Sequence, residues 1–297
     1  SNGAKHALHN AFTALIDEGD EVIVPAPYWV SYAELIKLAG GRPVVLPTRI
    51  EDDFKLRPEA LRAALTPATR ALLLCSPSNP TGTSMAASEL REIHQVVSQH
   101  GGITLVDEIY LGLSFDAAYG QSALALGEDI ISINSFSKYF NMTGWRLGWL
   151  VVPEALVDVM ERLTQNLYIC ASAIAQHAAL ACFEPTSLAL YEERRAAFQA
   201  RRDYFVPALE QAGLRVPVMP DGAFYAWADS TALCQRLGVK DSWDLAFALM
   251  ERIGVAATPG RDFGNHDPGR HIRFSTASSM EHLQEAAQRL RQLWESA

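Results

Sequence analysis

Strand-type and helix-type segments alternate along the first half of this chain, and that alternation constrains its fold more than any other feature. Short apolar runs of strand length lie at 21–24, 43–47, 71–75, 103–106, 130–133 and 147–152. Helical periodicity lies between them at 29–40, 58–65 and 86–100. This order is typical of a mostly parallel sheet covered by helices on both faces. We therefore predict a three-layer α/β/α domain over residues 1–186.

The last third of the chain has a different pattern. A long helix is predicted over 187–213, with a bend or a break in its hydrogen bonding at Pro207. Shorter signals follow it, with strands at 223–228, 255–257 and 272–275 and a helix at 242–253. Ser278 and Glu281 have the spacing of a capping box that opens a final helix. We predict a smaller α+β domain over 187–297, joined to the first by the long helix.

Length and composition limit the possible functions. The 297 residues are 49% hydrophobic, which is enough for a large core, and the formal net charge of −9 argues against nucleic acid as the main partner. The four cysteines have no paired spacing and no metal motif, so we expect reduced thiols, a cytoplasmic location and no bound metal. No apolar run reaches membrane-spanning length, so no membrane partner is expected.

Several polar and aromatic residues directly follow predicted strands. Trp29 comes after the first strand, Asn79 after the third, Asp107 after the fourth, and 135–138 after the fifth. In open parallel sheets, ligands bind beyond the carboxyl ends of the strands. We therefore expect these residues to meet at one edge of the sheet.

Lys138 lies between the hydroxyls of Ser135 and Ser137 and the guanidinium of Arg146. Hydroxyls and a guanidinium suit a phosphate, and an amine can form an imine with an aldehyde. Pyridoxal 5′-phosphate (PLP) combines both groups. Burial and the charge of Arg146 would lower the pKa of Lys138 and leave more of the amine neutral. A surface turn is the alternative for this Ser-Lys motif taken alone.

Four further residues have a possible role around a pyridine ring. Asp107 ends an apolar strand and could pair with a protonated ring nitrogen, with a helix N-cap or a buried salt bridge as alternatives. Tyr110 and Asn79 could donate to the phenolate oxygen of the ring, although core packing and a turn at 78–82 would also explain them. Trp29 could stack on the ring or belong to the core.

Two other features are suited to bind anions. Arg273 lies inside the apolar segment 271–275, where an arginine is costly without a partner. A clamp on a substrate carboxylate would supply that partner, and an internal salt bridge is the alternative. A helix that begins at the turn around Gly3 would expose free N–H groups to an anion, and a plain N-cap is the alternative.

The chain resembles the fold-type I, class I PLP-dependent aminotransferases, most closely their aspartate-aminotransferase-like branch. The resemblance covers essentially the whole chain and rests on the stretches 2–5 with 7–8, 27–32, 76–82, 107–110, 135–138 with 144–148, and 273–275. It implies PLP-dependent transamination between an L-amino acid, aspartate being the expected one, and a 2-oxo acid. It also implies a homodimer with active sites at the interface between the subunits.

The resemblance implies three sets of site residues. Catalytic residues are Lys138, Asp107 and Tyr110. Cofactor-binding residues are Ala4, Lys5, Trp29, Asn79, Asp107, Tyr110, Ser135, Ser137, Lys138 and Arg146. Arg273 and Asn79 bind the substrate carboxylate. Within these sets, Lys138 forms the Schiff base and moves the proton, and the backbone N–H groups of Ala4 and Lys5 contact the phosphate.

Three alternatives to an active aminotransferase stay open at this stage. They are a PLP-dependent lyase of the same fold, of the carbon–sulfur β-lyase type, a PLP-sensing regulatory domain, and an inactive remnant. Members of the family carry a further N-terminal segment with a dimer arm and a lid over the substrate. We expect either that this chain is a fragment or a truncated product, or that the contacts of that segment are lost, and efficient turnover is not expected of it.

Overall fold

A computed structural model describes residues 1–296. Its larger sheet has six strands in the spatial order β2-β1-β3-β4-β5-β6. They are β1 Glu21–Ala26, β2 Arg42–Pro47, β3 Thr69–Cys75, β4 Ile103–Asp107, β5 Ile130–Ser135 and β6 Gly148–Val151. The first five are parallel, and β6 is antiparallel to β5. The predicted mostly parallel sheet is confirmed.

Helices cover both faces of this sheet. They are α1 Ala4–Leu15, α2 Ser31–Leu38, α3 Pro58–Ala64, α4 Ala87–His100, α5 Glu154–Leu167 and α6 Ala173–Leu180. On one face Leu8 and Ile36 pack with Leu73, and on the other face Leu61 packs with Leu72. Successive residues of a strand point to opposite faces, so neighbouring leucines of β3 serve two different cores. The three-layer prediction is confirmed, whereas α5 and α6 have no counterpart in it.

The second part of the chain begins with one long helix and ends with another. Its elements are α7 Pro185–Gln211, β7 Tyr225–Asp229, α8 Thr231–Leu237, α9 Ser242–Ile253, β8 Thr258–Pro259, β9 His271–Ser275 and α10 Met280–Ser296. The three strands form an antiparallel sheet in the order β7-β9-β8. Pro207 lies inside α7 and does not end it. None of the described helices combines the length and apolar character needed to cross a membrane.

Two local predictions in this part are wrong. The strand expected at 255–257 is displaced to Thr258–Pro259, because Val255 packs into the core from the loop that follows α9. The hydroxyl that caps α10 is that of Ser279, which accepts the N–H of His282 at 3.3 Å, and not that of Ser278. The domain boundary at 186 stays a prediction, close to where α7 begins.

Candidate active site

A cavity of about 400 Å³ lies at the carboxyl-terminal edge of the larger sheet, and all the predicted site residues except Ser135 line it. The strand register explains the convergence. Cys75 pairs with Asp107 across β3 and β4, and Asp107 pairs with Ile133 across β4 and β5. Parallel strands thus end side by side, so the residues that follow them share one space. Arg273 reaches the same cavity from β9 of the smaller sheet.

One end of the cavity is suited to a phosphate. The first turn of α1 has no side-chain cap, and Arg146 lies against the turn at Gly3. Arg146 donates to the carbonyl oxygens of Thr143 (2.9 Å) and Asn2 (3.3 Å). A Cβ on Gly3 would lie 2.5 Å from Arg146 Nη2, so only glycine permits this approach. A helix N-terminus and a guanidinium together make an anion site.

The two serines of the Ser-x-Ser-Lys motif lie at different depths. Ser137 lines the cavity, whereas Ser135 is buried behind it. Ser135 Oγ accepts the N–H of Ser137 at 3.0 Å and lies 2.8 Å from Ser137 Oγ. Ser135 is also within 3.1 Å of the carbonyl oxygen of Leu147. The bonds of Ser135 therefore orient Ser137, and its own phosphate contact stays a prediction.

Lys138 is half-buried at the centre of the site. Its Nζ lies 5.9 Å from the ring centroid of Tyr110 and 5.7 Å from that of Phe224. Burial, followed by the positive charges of Arg273 and Arg146, lowers the pKa of Lys138. A larger fraction of the amine is therefore neutral, which is the form that attacks an aldehyde.

Asp107 is 2% exposed and accepts two hydrogen bonds, from the hydroxyl of Tyr32 (2.7 Å) and from the N–H of Ile109 (3.1 Å). Burial raises its pKa to about 6. No basic side chain among residues 1–296 forms an ion pair with it. The salt-bridge alternative is therefore wrong. The bond from the N–H of Ile109 is a local side-chain-to-backbone bond of the kind that the N-cap alternative predicted. A cationic ring N–H in the cavity would supply the missing counter-charge.

Arg273 has hydrogen-bond partners that carry no charge. It donates to Asn79 Oδ1 at 2.8 Å and to Thr258 Oγ1 at 3.3 Å. Its buried Nε has no partner among the described residues, and no carboxylate among them forms an ion pair with it. The internal salt bridge considered as an alternative is therefore wrong. A ligand carboxylate would satisfy this buried cation.

Three contacts of aromatic side chains shape the remaining wall. Lys5 Nζ lies 4.9 Å from the ring centroid of Trp29, and Trp29 meets Tyr32 edge-on at 5.4 Å. Tyr110 and Tyr225 approach each other with their hydroxyl oxygens 2.8 Å apart. The cavity thus combines cations, aromatic rings and one buried acid, and these groups fit a phosphorylated aromatic aldehyde.

Comparison with known proteins decides the class. A family model described as aminotransferase class I and II matches residues 1–290. The chain belongs to this family. The aspartate aminotransferase of Geobacillus stearothermophilus is 38% identical to this aminotransferase over 99% of the chain and 75% of its own length. The probable aspartate/prephenate aminotransferase of Thermus aquaticus is also 38% identical, over 98% and 74%.

Solved structures agree with this assignment. The aspartate aminotransferase of Thermus thermophilus with maleate has a TM-score of 0.90 at 36% identity, over 98% of this aminotransferase and 74% of the other chain. An aminotransferase from Mycobacterium tuberculosis has a TM-score of 0.94 at 32% identity, over 100% and 76%. The aminotransferase is therefore a PLP-dependent transferase that catalyses transamination, as the motifs predicted. These relatives do not favour the lyase or the sensor alternative.

Two tyrosines of the aminotransferase site were assigned no role from the sequence. Tyr32 lies three residues after Trp29, in the first turn of α2, and its place beside Trp29 in the same motif was a usable signal. Tyr225 follows a turn more than a hundred residues from Tyr110 in the chain, and no local pattern links the two. Only the packing of the segment after β4 against β7 shows that they meet.

Proposed function

We propose that this aminotransferase exchanges the amino group of a dicarboxylic amino acid, aspartate being the expected one, with a 2-oxo acid. One observation carries the proposal. Arg146 and Arg273 both lower the pKa of Lys138, so a single cavity holds two guanidiniums around one amine. That arrangement accommodates a phosphate and a carboxylate around a reactive carbon. The relatives named for aspartate and aspartate/prephenate support the choice of substrate.

When bound, PLP supplies the electron sink for the reaction. Lys138 Nζ would hold the cofactor and then move a proton between the substrate Cα and the cofactor C4′. Its lowered pKa supports that role, because a base must be unprotonated before it accepts a proton. Asp107 would accept the N–H of the ring nitrogen, and its lack of a cationic partner among the described residues supports this assignment.

The remaining cofactor contacts follow from the cavity wall. Arg146, Ser137 and the first N–H groups of α1 would bind the phosphate, with Ser135 beneath them. Trp29 would stack on the ring. Tyr110 and Asn79 would donate to its phenolate oxygen. Each of these groups lines the cavity except Ser135, which braces one that does.

Arg273 and Asn79 would bind the α-carboxylate of the substrate together. The Arg273–Asn79 bond of 2.8 Å orients the guanidinium and uses one of its five donors. The Nε group, which has no partner among the described residues, remains for a ligand oxygen.

A second carboxylate on the substrate would need a cation of its own, and Lys5 is the cavity cation whose side chain has no other assigned role. Lys5 is exposed, lines the cavity and lies over Trp29. Its ammonium would attract a side-chain carboxylate by a charge-assisted hydrogen bond. This contact would favour aspartate over amino acids with neutral side chains.

The test uses the purified protein loaded with PLP and a panel of single amino acids without a keto acid. We expect aspartate to convert the bound cofactor to pyridoxamine phosphate and to release its 2-oxo acid in equal amount. Lys138→Ala should bind cofactor without this conversion. If every amino acid in the panel leaves the cofactor unchanged, or if pyruvate and ammonia appear instead, the proposal is wrong.

A homodimer and a cytoplasmic location belong to the same proposal. Large apolar side chains stand exposed between α5 and α7, namely Ile169, Ile174, Leu180 and Phe183. They would become buried against a second copy of the chain. All four cysteines are unpaired, which fits a reducing compartment. Light scattering of the wild type and of Ile174→Asp tests the dimer, and a monomeric wild type would refute it. Cell fractionation tests the location.

A further inference from the structure

Tyr225 contacts two predicted site residues at once, one that follows β4 of the larger sheet and one on β9 of the smaller sheet. It lies on β7, is 7% exposed and lines the cavity. Its hydroxyl oxygen is 2.8 Å from that of Tyr110, and its ring centroid is 4.4 Å from the guanidinium carbon of Arg273. We propose that Tyr225 is a positioning residue for transamination, whose ring orients Arg273 and whose hydroxyl orients Tyr110. This inference rests on the roles proposed above for those two residues.

The first part of the proposal, that the ring of Tyr225 orients Arg273, follows from strand pairing. Tyr225 pairs with Ser275 and Trp227 pairs with Arg273, so Tyr225 and Arg273 are diagonal neighbours on one face of the small sheet. The guanidinium carbon also lies 4.7 Å from the ring centroid of Phe263. Two aromatic rings against one guanidinium restrict its orientation by cation–π contact and leave its donor edge for a carboxylate. Asn79 alone supplies a short hydrogen bond, so the rings carry much of the orientation.

The second part of the proposal concerns the hydroxyl of Tyr225. The question is which of the two tyrosines donates to the other and which donates to a ligand in the cavity. Each phenol has one hydrogen to donate. Burial raises the pKa of both tyrosines, and at Tyr225 the hydrogen bond with Tyr110, followed by the charge of Arg273, opposes that rise. The 2.8 Å distance between the two hydroxyl oxygens permits donation in either direction. In the proposed arrangement Tyr225 donates to Tyr110, because the more acidic phenol is the better donor. Tyr110 then keeps its own hydrogen for an acceptor in the cavity, and the bond it receives strengthens it as a donor.

A purely structural role is the competing explanation, because Tyr225 belongs to a small apolar cluster with Tyr110, Leu113 and Ala223. Such a role would change stability alone. Positioning would change two properties of the cofactor-loaded protein that packing does not set. The first is the affinity for a carboxylate probe, and the second is the pH at which the visible absorbance of bound PLP titrates.

The experiment compares Tyr225→Phe, which keeps the ring, with Tyr225→Met, which removes ring and hydroxyl. Succinate is the carboxylate probe, and its dissociation constant is read from the change in the cofactor spectrum. We expect Tyr225→Phe to bind succinate within about twofold of the wild type, and Tyr225→Met to bind it about tenfold more weakly. Both variants should move the pH midpoint upward, because a weaker Tyr110 donor stabilises the phenolate less.

Two control variants separate failure of this inference from failure of the proposed function. Arg273→Lys should weaken succinate binding, and Tyr110→Phe should raise the pH midpoint by more than Tyr225→Phe does. If these controls respond while both Tyr225 variants match the wild type, Tyr225 has only a packing role and the inference falls. If the controls do not respond, the roles of Arg273 and Tyr110 are wrong as well. If Tyr225→Met does not fold, the test is the pH midpoint of the PLP absorbance in Tyr225→Phe. A midpoint equal to that of the wild type overturns the proposal.

Discussion

The hydroxyl of Tyr32 donates a 2.7 Å hydrogen bond to Asp107 Oδ2, at the bottom of a cavity where burial raises the pKa of that carboxyl to about 6. The two residues come from α2 and β4. The bond stabilises the carboxylate and thus opposes the effect of burial. Without a cofactor, Asp107 therefore carries an incompletely compensated charge at neutral pH, and a cationic ring nitrogen would compensate it.

The cofactor-free protein should lose stability as the pH rises from about 4 to about 6. The pKa of Asp107 is 3.8 in the reference state and about 6 in the folded state. Stability from this group is full below pH 4 and is lost as the pH passes 6, because the folded protein must then ionise a buried acid. Two pKa units correspond to about 3 kcal/mol. Urea unfolding of the wild type and of Asp107→Asn across this range measures the free energy of unfolding at each pH. If that free energy changes equally with pH in both proteins, the prediction is wrong.

Tyr32→Phe should extend to higher pH the range over which the cofactor-free protein loses stability. A hydrogen bond to a charged group contributes about 1.5 kcal/mol, so its loss raises the pKa of Asp107 by about one further unit. The same urea series on cofactor-free protein measures the shift. Tyr28→Phe is the matched control. It also removes a tyrosine hydroxyl, but Tyr28 is not one of the two hydrogen-bond partners of the Asp107 carboxylate, which are Tyr32 and Ile109. Equal effects of the two substitutions would show that the Tyr32 hydroxyl does not tune Asp107.

Gly3→Ala should weaken PLP binding by about tenfold or more, since a Cβ at residue 3 would displace the guanidinium that is proposed to bind phosphate. Gly19→Ala is its control. Gly3 has φ +96° and Gly19 has φ +93°, but a Cβ at Gly19 meets no described atom within 4 Å. Both variants should lose about 1–2 kcal/mol of stability from the left-handed backbone. Only Gly3→Ala should lose cofactor affinity, as measured by fluorescence titration.

Lys5→Ser should raise the KM for aspartate about tenfold and leave the KM for alanine nearly unchanged. The reason is that its ammonium would contact the side-chain carboxylate, which alanine lacks. Steady-state kinetics with both amino acids measures the ratio. Lys37→Ser removes an exposed lysine that pairs with Glu34 on α2 and should change neither value. A parallel loss for alanine would instead assign Lys5 to cofactor binding.

Local chemistry explains why much of the fold was predictable. Strands such as Ile103–Asp107 are apolar runs bounded by polar residues, and their order along the chain implies a parallel sheet. The motif residues follow those strands, so their gathering at one edge could be inferred. Helix α6 was missed because Ala173–Leu180 is apolar nearly all round and shows no helical period. The cap of α10 was misplaced by one residue because two adjacent serines have the same chemistry.

The sequence by itself determined the fold class, the aminotransferase motifs and the residue types that can bind a phosphorylated aldehyde, since these depend on local periodicity and on side-chain chemistry. The tertiary structure alone decided which groups have partners. It placed Tyr32 on Asp107, Tyr225 on both Tyr110 and Arg273, and Ser135 behind Ser137. The physical reason is that burial and charge compensation depend on contacts between residues far apart in the chain, and no local pattern encodes them.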